Sequence, residues 1–483
     1  MRLKIWALAS LALVLGACEP AKVETPDTGT PSGKPDTEQP GDSGLIPGSK
    51  DDPYGINYLY GDGEIAEIHL TVSLEEWNKL LSLYDANPKT KQYVKGDLRF
   101  VKGEDEQIIN GVGLRLRGNT SRRRPEVSDG GHNSVDTKWQ HCHFGLKFTE
   151  YTKDDAHEIA GARNVWLKWF KEDPTYTREV YCYDLFRRAG IWTAVHSTYC
   201  RLWLKVEGDA KETYYGVYQM IEPVNNRYLK ARKSDFGSAD GNLWKCRYGA
   251  TLNSIDANFG VDLGGDEEYT YELKSDDNDF NAAREQLQDF ILKVKGKTGD
   301  SFKTWISQVC DVEFLLKTYA VNVTVGMWDD YWNNCNNYYL YFTTTDKYDY
   351  KFFFIPYDYD NTLGTSLGYD SGKQNPFQWG NNSNPLIYKI LQYDEFRQLY
   401  KNALLELVDP GKALFYYDAS MKRISQWQSL IADYVANDTG EDCSIYDKPA
   451  SWGNHSEYRI MEGSNDGPNF FKVRTEAILN ACK

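Results

Sequence analysis

Basic residues are in short supply: the 483-residue chain carries 55 Lys and Arg against 70 Asp and Glu, a net charge of −15. That deficit argues against a phosphate-backbone partner, so no nucleic acid is expected. The apolar run Ile5 to Leu15 falls short of the roughly 20 residues a bilayer-spanning helix needs. No two cysteines have C-x-x-C spacing, which weakens both thioredoxin-like chemistry and a structural zinc site. Fixed-period repeats are missing, and after Asp51 no linker interrupts the chain.

What is present begins with an address. Arg2 and Lys4 lead into the apolar run, which ends Leu15-Gly16-Ala17-Cys18. This reads as a secretory signal, and its last residues resemble the bacterial lipoprotein signal, with Cys18 as the lipidated residue. The expected location is a membrane-anchored lipoprotein on the extracytoplasmic face, touching the membrane through its lipid. From Glu19 to Lys50 the chain is Pro, Thr, Asp, Gly and Ser with almost no large apolar side chain, which reads as a tether. Of nine cysteines, the eight besides Cys18 are able to oxidise in that compartment, with roughly a hundred conceivable pairings.

From Asp51 onward, 41% hydrophobic and 14% aromatic composition supports a large core. The expectation is one α+β body of two lobes, strand-rich to about residue 280 and helical beyond. Alternation marks strands at Glu64–Thr71, Val112–Arg117, Phe144–Phe148, Tyr199–Val206 and Tyr214–Glu222. An early helix is announced by the capping-box spacing of Ser73 and Glu76. Helical periodicity then covers Ala282–Lys295 and Val312–Val325, followed by a hairpin of Tyr338–Phe342 and Tyr350–Ile355. Helices are expected again at Asp394–Leu407, Met421–Val435 and Phe470–Ala481.

The helix from Val312 runs into Gly326-Met327-Trp328-Asp329-Asp330, and the hairpin's second strand runs into Pro356-Tyr357-Asp358-Tyr359-Asp360-Asn361. Antiparallel pairing sets the start of one strand beside the end of the other. These carboxylates then converge with Asn333, Asn334, Asn336 and Asn337 in a hard-oxygen cluster suited to Mg²⁺, Mn²⁺ or Ca²⁺. Helix, Asp, Asn, hairpin, Asp is also the chain order of a protein-kinase active site, which needs a cationic grip from the opposite lobe. Arg115, Arg117 and the three arginines Arg122 to Arg124 qualify, as does Lys147 in Phe144-Gly145-Leu146-Lys147-Phe148.

The segments RLRGNTS, FGLKF, YTREVYCYDLF, YYGVYQMIEPVNNRYL, WDDYWNNCNNYYLYF and FIPYDYDNTLG, in that order, resemble the spore-coat protein H (CotH) kinase family from about Glu64 to Gly364. The resemblance implies a divergent, atypical kinase-like fold. It also implies an enzyme that uses ATP and a divalent metal to phosphorylate Ser or Thr of an extracytoplasmic protein acceptor. Carried over by position, Asp329 is the catalytic candidate. Asn337, Asp358 and Asp360 are the metal candidates. Arg115, Arg117 and Lys147 are nucleotide-binding candidates, with Glu222 as a partner for a lysine. Tyr357 stands where the family signature has Trp, and Cys335 sits inside the loop.

Blander readings compete. Asp358 and Asp360 also suit a polar turn, and the arginines a solvated loop. His141-Cys142-His143 reads as strand, and Gly364-Thr365-Ser366-Leu367-Gly368 as a chance match to a hydrolase elbow. On the same fold, a surface binding or assembly lipoprotein with a degenerate site is the rival to an enzyme.

Overall fold

The computed structural model describes residues 52–438 and 469–483, apart from Asp136, Glu172, Pro174, Asp276 and residues 262–266, 344–348 and 366–370. Cys18, the tether, Cys443 and the centre of the Gly364–Gly368 motif lie outside the described residues.

Seven strands form a closed barrel: β1 (Ala66–Val72), β2 (Val94–Lys102), β3 (Asp105–Arg117), β4 (His143–Lys147), β5 (Asn164–Lys168), β6 (Ser197–Val206) and β7 (Thr213–Ile221). Their order around the wall is β1-β2-β3-β4-β5-β7-β6, and parallel pairing of β1 with β6 closes the ring. Successive side chains alternate across a strand, so Leu114, Leu116, Phe144, Leu146, Val165 and Leu167 fill the interior. Arg115, Arg117, Lys147, Trp166 and Lys168 are left on the outer face by the same alternation. Ser73 accepts a hydrogen bond from the Glu76 amide and starts the helix Leu74–Ala86, which packs on β2 and β3.

Five further strands make a second sheet: β8 (Asn242–Cys246), β9 (Phe259–Val261), β10 (Tyr271–Leu273), β11 (Tyr338–Thr343) and β12 (Lys351–Pro356), in the order β12-β11-β8-β10-β9. Strands up to Leu273, grouped by sequence with the first lobe, therefore share a sheet with the hairpin. Tyr338 pairs with Cys246 on one side and Pro356 on the other, and nothing local in the chain announces so distant a partner. Helices Phe280–Gly296, Val312–Thr324, Asp394–Leu407, Tyr417–Asp438 and Phe470–Ala481 complete this lobe. Among the described residues, no helix is long and apolar enough to cross a membrane. The result is a two-lobed α+β architecture of atypical kinase-like form, with a separate apolar core in each lobe.

One helix couples the lobes. Arg178–Arg188 follows β5 in the chain, yet its Val180, Leu185 and Phe186 belong to the larger, helical core. Arg178, 1% exposed, pairs with Asp173 at 3.0 Å and donates through Nε to the Thr362 carbonyl at 2.8 Å. It thereby holds the segment after β12 against the helix. Removing it strands a buried carboxylate, so Arg178→Ala is expected to cost about 3–5 kcal/mol of unfolding free energy. Urea denaturation reads this directly; a loss under about 1 kcal/mol contradicts the assignment.

Candidate active site

The last residue of β5 is the centre of the site. Lys168 Nζ lies 2.5 Å from Asp358 Oδ1, 2.8 Å from Glu179 Oε2 and 3.1 Å from Asp360 Oδ2. The barrel supplies the cation, the Arg178–Arg188 helix supplies Glu179, and the segment leaving β12 supplies the two aspartates. Burial works against the charge of Lys168, but Asp358, Asp360 and Glu179 together hold it well above the ordinary lysine range. Burial raises both Glu179 and Asp360, whereas Asp358, closest to the ammonium, is drawn below the usual carboxylate value. His143, beside Lys168, is pushed down to about 3 by burial and by that ammonium, so it stays neutral and accepts the Trp169 amide on Nδ1 at 2.9 Å.

Asp358 has φ of 64°, in the left-handed region that costs a non-glycine residue energy. The surroundings over-determine it. Its amide donates to the Tyr183 hydroxyl at 3.0 Å, and the Tyr359 amide donates to Glu179 Oε1 at 2.9 Å. The helix that brings Glu179 to Lys168 therefore also sets the backbone of the aspartate loop.

At the same end of the hairpin, in the loop that leads into β11, Asp329 is collared by side-chain amides. Asn334 donates to its Oδ1 at 2.6 Å, Asn337 to its Oδ2 at 2.9 Å, and Asn336 at 3.2 Å. Asn361, next to Asp360, reaches its Oδ2 at 3.4 Å and links the loop before β11 to the segment after β12. Burial raises the Asp329 carboxyl above its ordinary value, with nearby Asp358 adding to that and the amides opposing it. Its neighbour Asp330 does a different job. It is 3% exposed, caps Tyr331–Asn334 through the Asn333 amide and takes a 2.5 Å bond from Asn322. Burial pushes Asp330 up to about 7. Two adjacent carboxylates are thus separated into a half-exposed acceptor and an internal strut.

Convergence of Asp329, Asn337, Asp358 and Asp360 follows the sequence expectation, but the lysine does not. Lys147 lies at the far end of β4, opposite Gly113 and Asn164, and pairs with Glu150 at 2.6 Å. Antiparallel register puts Lys168 about four residues away along the wall, on the order of 13 Å. Glu222 is likewise elsewhere. It is bound by Arg232 through both oxygens at 2.7 Å and by His196, which overrule the burial that raises it and hold it at about 2. Its place beside a lysine belongs to Glu179. Lys168 and Glu179 carried a readable signal: apolar Val165 and Leu167 alternate with Trp166 and Lys168, and a helix with an acidic first turn follows.

Arg115 and Arg117 do face the cleft between the lobes. The Arg117 guanidinium lies 3.4 Å from the centre of the Trp166 ring and donates to the Tyr357 hydroxyl at 3.3 Å. A Cβ on Gly145 would come within 2.9 Å of Arg117 Cδ, so glycine is what lets that side chain lie across β4. Arg115 stacks on Tyr93 at 5.3 Å. Cys335, in the left-handed conformation at the end of Tyr331–Asn334, is a half-buried thiol. A cavity of about 380 Å³ between Trp192, His196 and Arg232 is lined by none of Lys168, Asp329 or Asp358.

The family model for the CotH kinase protein matches residues 114–460, most of the chain, and the protein belongs to that family. The match begins at β3 and runs beyond the segment that the sequence motifs span. No curated protein matches the chain.

Lys168 is the only side-chain cation in contact with Asp358, Glu179 and Asp360 among the described residues. Lys168→Met leaves buried Glu179 and half-exposed Asp358 and Asp360 without their cation, and the folded pKa values of these carboxylates then rise above those of the unfolded chain. The deficit is absent where carboxylates are protonated in both states and grows as pH rises, to about 1–3 kcal/mol at pH 8 once solvent screening of the two aspartates is allowed for. Thermal melts of wild type and variant from about pH 4 to pH 8 test this; a pH-independent gap contradicts it.

Proposed function

We infer that this CotH-family protein is an extracytoplasmic phosphotransferase that moves the γ-phosphoryl group of ATP to a Ser or Thr hydroxyl of a protein acceptor. The observation that carries the reading is the Lys168–Glu179 pair brought against Asp358, opposite the amide-collared Asp329. A kinase requires that lysine–glutamate pair and a metal-holding aspartate in place together.

Among the described residues, no group of three His, Cys, Asp or Glu side chains is arranged as a ready metal cage. The donor set nonetheless fits Mg²⁺ or Mn²⁺, ions that keep several waters and take one or two carboxylates plus phosphate oxygens. Asp360 Oδ1 is buried without a hydrogen-bond partner, and a cation already sits among these oxygens in the form of the Lys168 ammonium. Asp358 and Asp360 would hold the metal, with the Asn337 amide oxygen as a third hard donor. When bound, the ion neutralises charge on the phosphates.

The chain's own residues do the rest. Lys168, freed in part from Asp358, meets phosphate oxygens while Glu179 keeps it oriented. Arg115 and Arg117 add positive charge on the barrel side. Asp329 receives the acceptor's proton as the hydroxyl oxygen bonds to the γ-phosphorus, the bond to the β,γ-bridging oxygen breaks, and ADP leaves. The amides fix Asp329 in position and oppose the burial that raises its carboxyl. Lipidation at Cys18 would place this chemistry on the outer side of a membrane. The non-catalytic rival predicts no nucleotide binding that requires metal.

The test is calorimetric and kinetic. Residues 51–483 are expected to bind ATP only with Mg²⁺ or Mn²⁺ and to turn it over. Asp358→Asn should remove metal-dependent binding. Asp329→Asn should retain binding and lower turnover roughly 10²–10⁴-fold. Absence of nucleotide binding by the wild type with either metal refutes the proposal.

A further inference from the structure

We propose that the cavity on the far side of the helix Arg178–Arg188 is an effector site: it takes a small amphipathic anion, an apolar body bearing one carboxylate, and transmits its occupancy to Asp358 through Tyr183. The inference deepens the phosphotransfer reading in that Asp358 is its target, while the binding itself is independent of that reading.

Separate segments of the chain wall this space. Tyr183 and Arg187 come from the helix, Ile191 and Trp192 from the connection into β6, Ile56 from the short helix Ile56–Leu59, and Ala231 from the end of the helix Asn226–Ala231. Arg115, Arg117 and Lys168 do not line it, so it is distinct from the cleft that would hold the nucleotide. About 380 Å³ of space with mainly apolar walls and a few polar groups is the usual form of a small-molecule site.

Charge at the wall selects the ligand. Arg232 is committed to Glu222, which meets it with both oxygens at 2.7 Å. His196 is kept neutral by burial, with Arg232 and Arg187 adding to the effect, so it offers a ring and no charge. Asp52, the acid on the wall beside Ile56, accepts the Tyr54 and Asn57 amides at 2.8 Å each. Arg187 is matched less fully. It shares the single carboxylate of Asp184 with Arg188 and Arg423, and Asp62 stands off at 3.9 Å. Its side chain is also 29% exposed, so a planar carboxylate can reach the guanidinium. An apolar body then covers Ile56, Ile191 and Trp192.

Tyr183 has a side in each site. Its ring lines the cavity, and its hydroxyl donates to Glu179 Oε1 at 3.1 Å and accepts the Asp358 amide at 3.0 Å. Asp358 is held in its left-handed conformation by that contact. Arg187 follows Tyr183 by four residues and so lies one turn along the same helix face. A ligand that touches both restricts the tyrosine, and with it the aspartate loop. Occupancy therefore stabilises the Asp358 backbone and strengthens metal-dependent binding of ATP.

The experiment uses the mature chain without lipid, residues 19–483, and anilinonaphthalene sulfonate, a fluorescent apolar anion, as the probe. Phenylpropionate should displace the probe at least about tenfold better than phenylpropanol, its uncharged analogue. Arg187→Gln removes the charge and Ala231→Trp fills the space; each should weaken probe binding about tenfold. Hydrogen exchange at the Asp358 and Tyr359 amides, read by mass spectrometry, should slow about fivefold when wild type binds the probe. Tyr183→Phe should bind the probe as wild type does and lose that slowing. Equal displacement by the alcohol overturns the proposal, as do probe binding that survives both cavity variants and exchange that ignores a bound probe. The displacement and exchange measurements need no variant. Failure of the phosphotransfer reading shows separately, as absence of metal-dependent ATP binding while the exchange effect persists.

Discussion

The ammonium of Lys168 among three carboxylates is the constraint around which the molecule is assembled. Each partner arrives from a different element: the end of a barrel strand, the first turn of a helix, and the segment that leaves the hairpin. A buried pair of this kind contributes little net stability, because desolvation of the charges offsets most of their attraction. Its effect is positional. Any arrangement that separates the lobes leaves the Asp358, Asp360 and Glu179 carboxylates together without their cation, which favours the closed cleft.

That geometry is stiffened by polar groups rather than by apolar packing. The Glu179 carboxylate serves Lys168 with one oxygen and the Tyr359 amide with the other, so the charge network and the left-handed Asp358 backbone depend on the same helix turn. Arg178, one residue earlier, secures Thr362 from below. Across the hairpin, Asp329 and Asp330 show how neighbours of one type diverge. Amide donors and partial exposure leave Asp329 accessible to a ligand, while burial commits Asp330 to capping. On the outer rim, Lys89 and Glu268 join the lobes at 2.6 Å.

Much of this was legible in the sequence. Ser73 does cap its helix, the hairpin strands fall within a residue or two of their expected ends, and Asp329 and Asp358 meet because antiparallel pairing leaves no alternative. Alternation also separated Arg115 and Arg117 from the apolar residues between them. It did not say which face of the strand would be covered by the second lobe. The lysine was misassigned for a related reason. Lys147 and Lys168 each end a short alternating strand, and only the register of β4 against β5 decides which end reaches the hairpin. Glu222 and Glu179 are both buried acids near strand or helix ends, and the choice between them depended on which had Arg232 at hand.

Sequence alone determined the elements and the chemistry: local hydrogen-bonding preferences, side-chain alternation and the short hairpin connection act over a few residues and so are written along the chain. Tertiary structure alone decided the partners. β8 pairs with β11, β1 with β6, and Lys168 with Glu179, Asp358 and Asp360. Those pairings are contacts between segments that share no local signal. Burial, which turns a lysine and three acids into one interdependent group, exists only once the lobes have closed on each other.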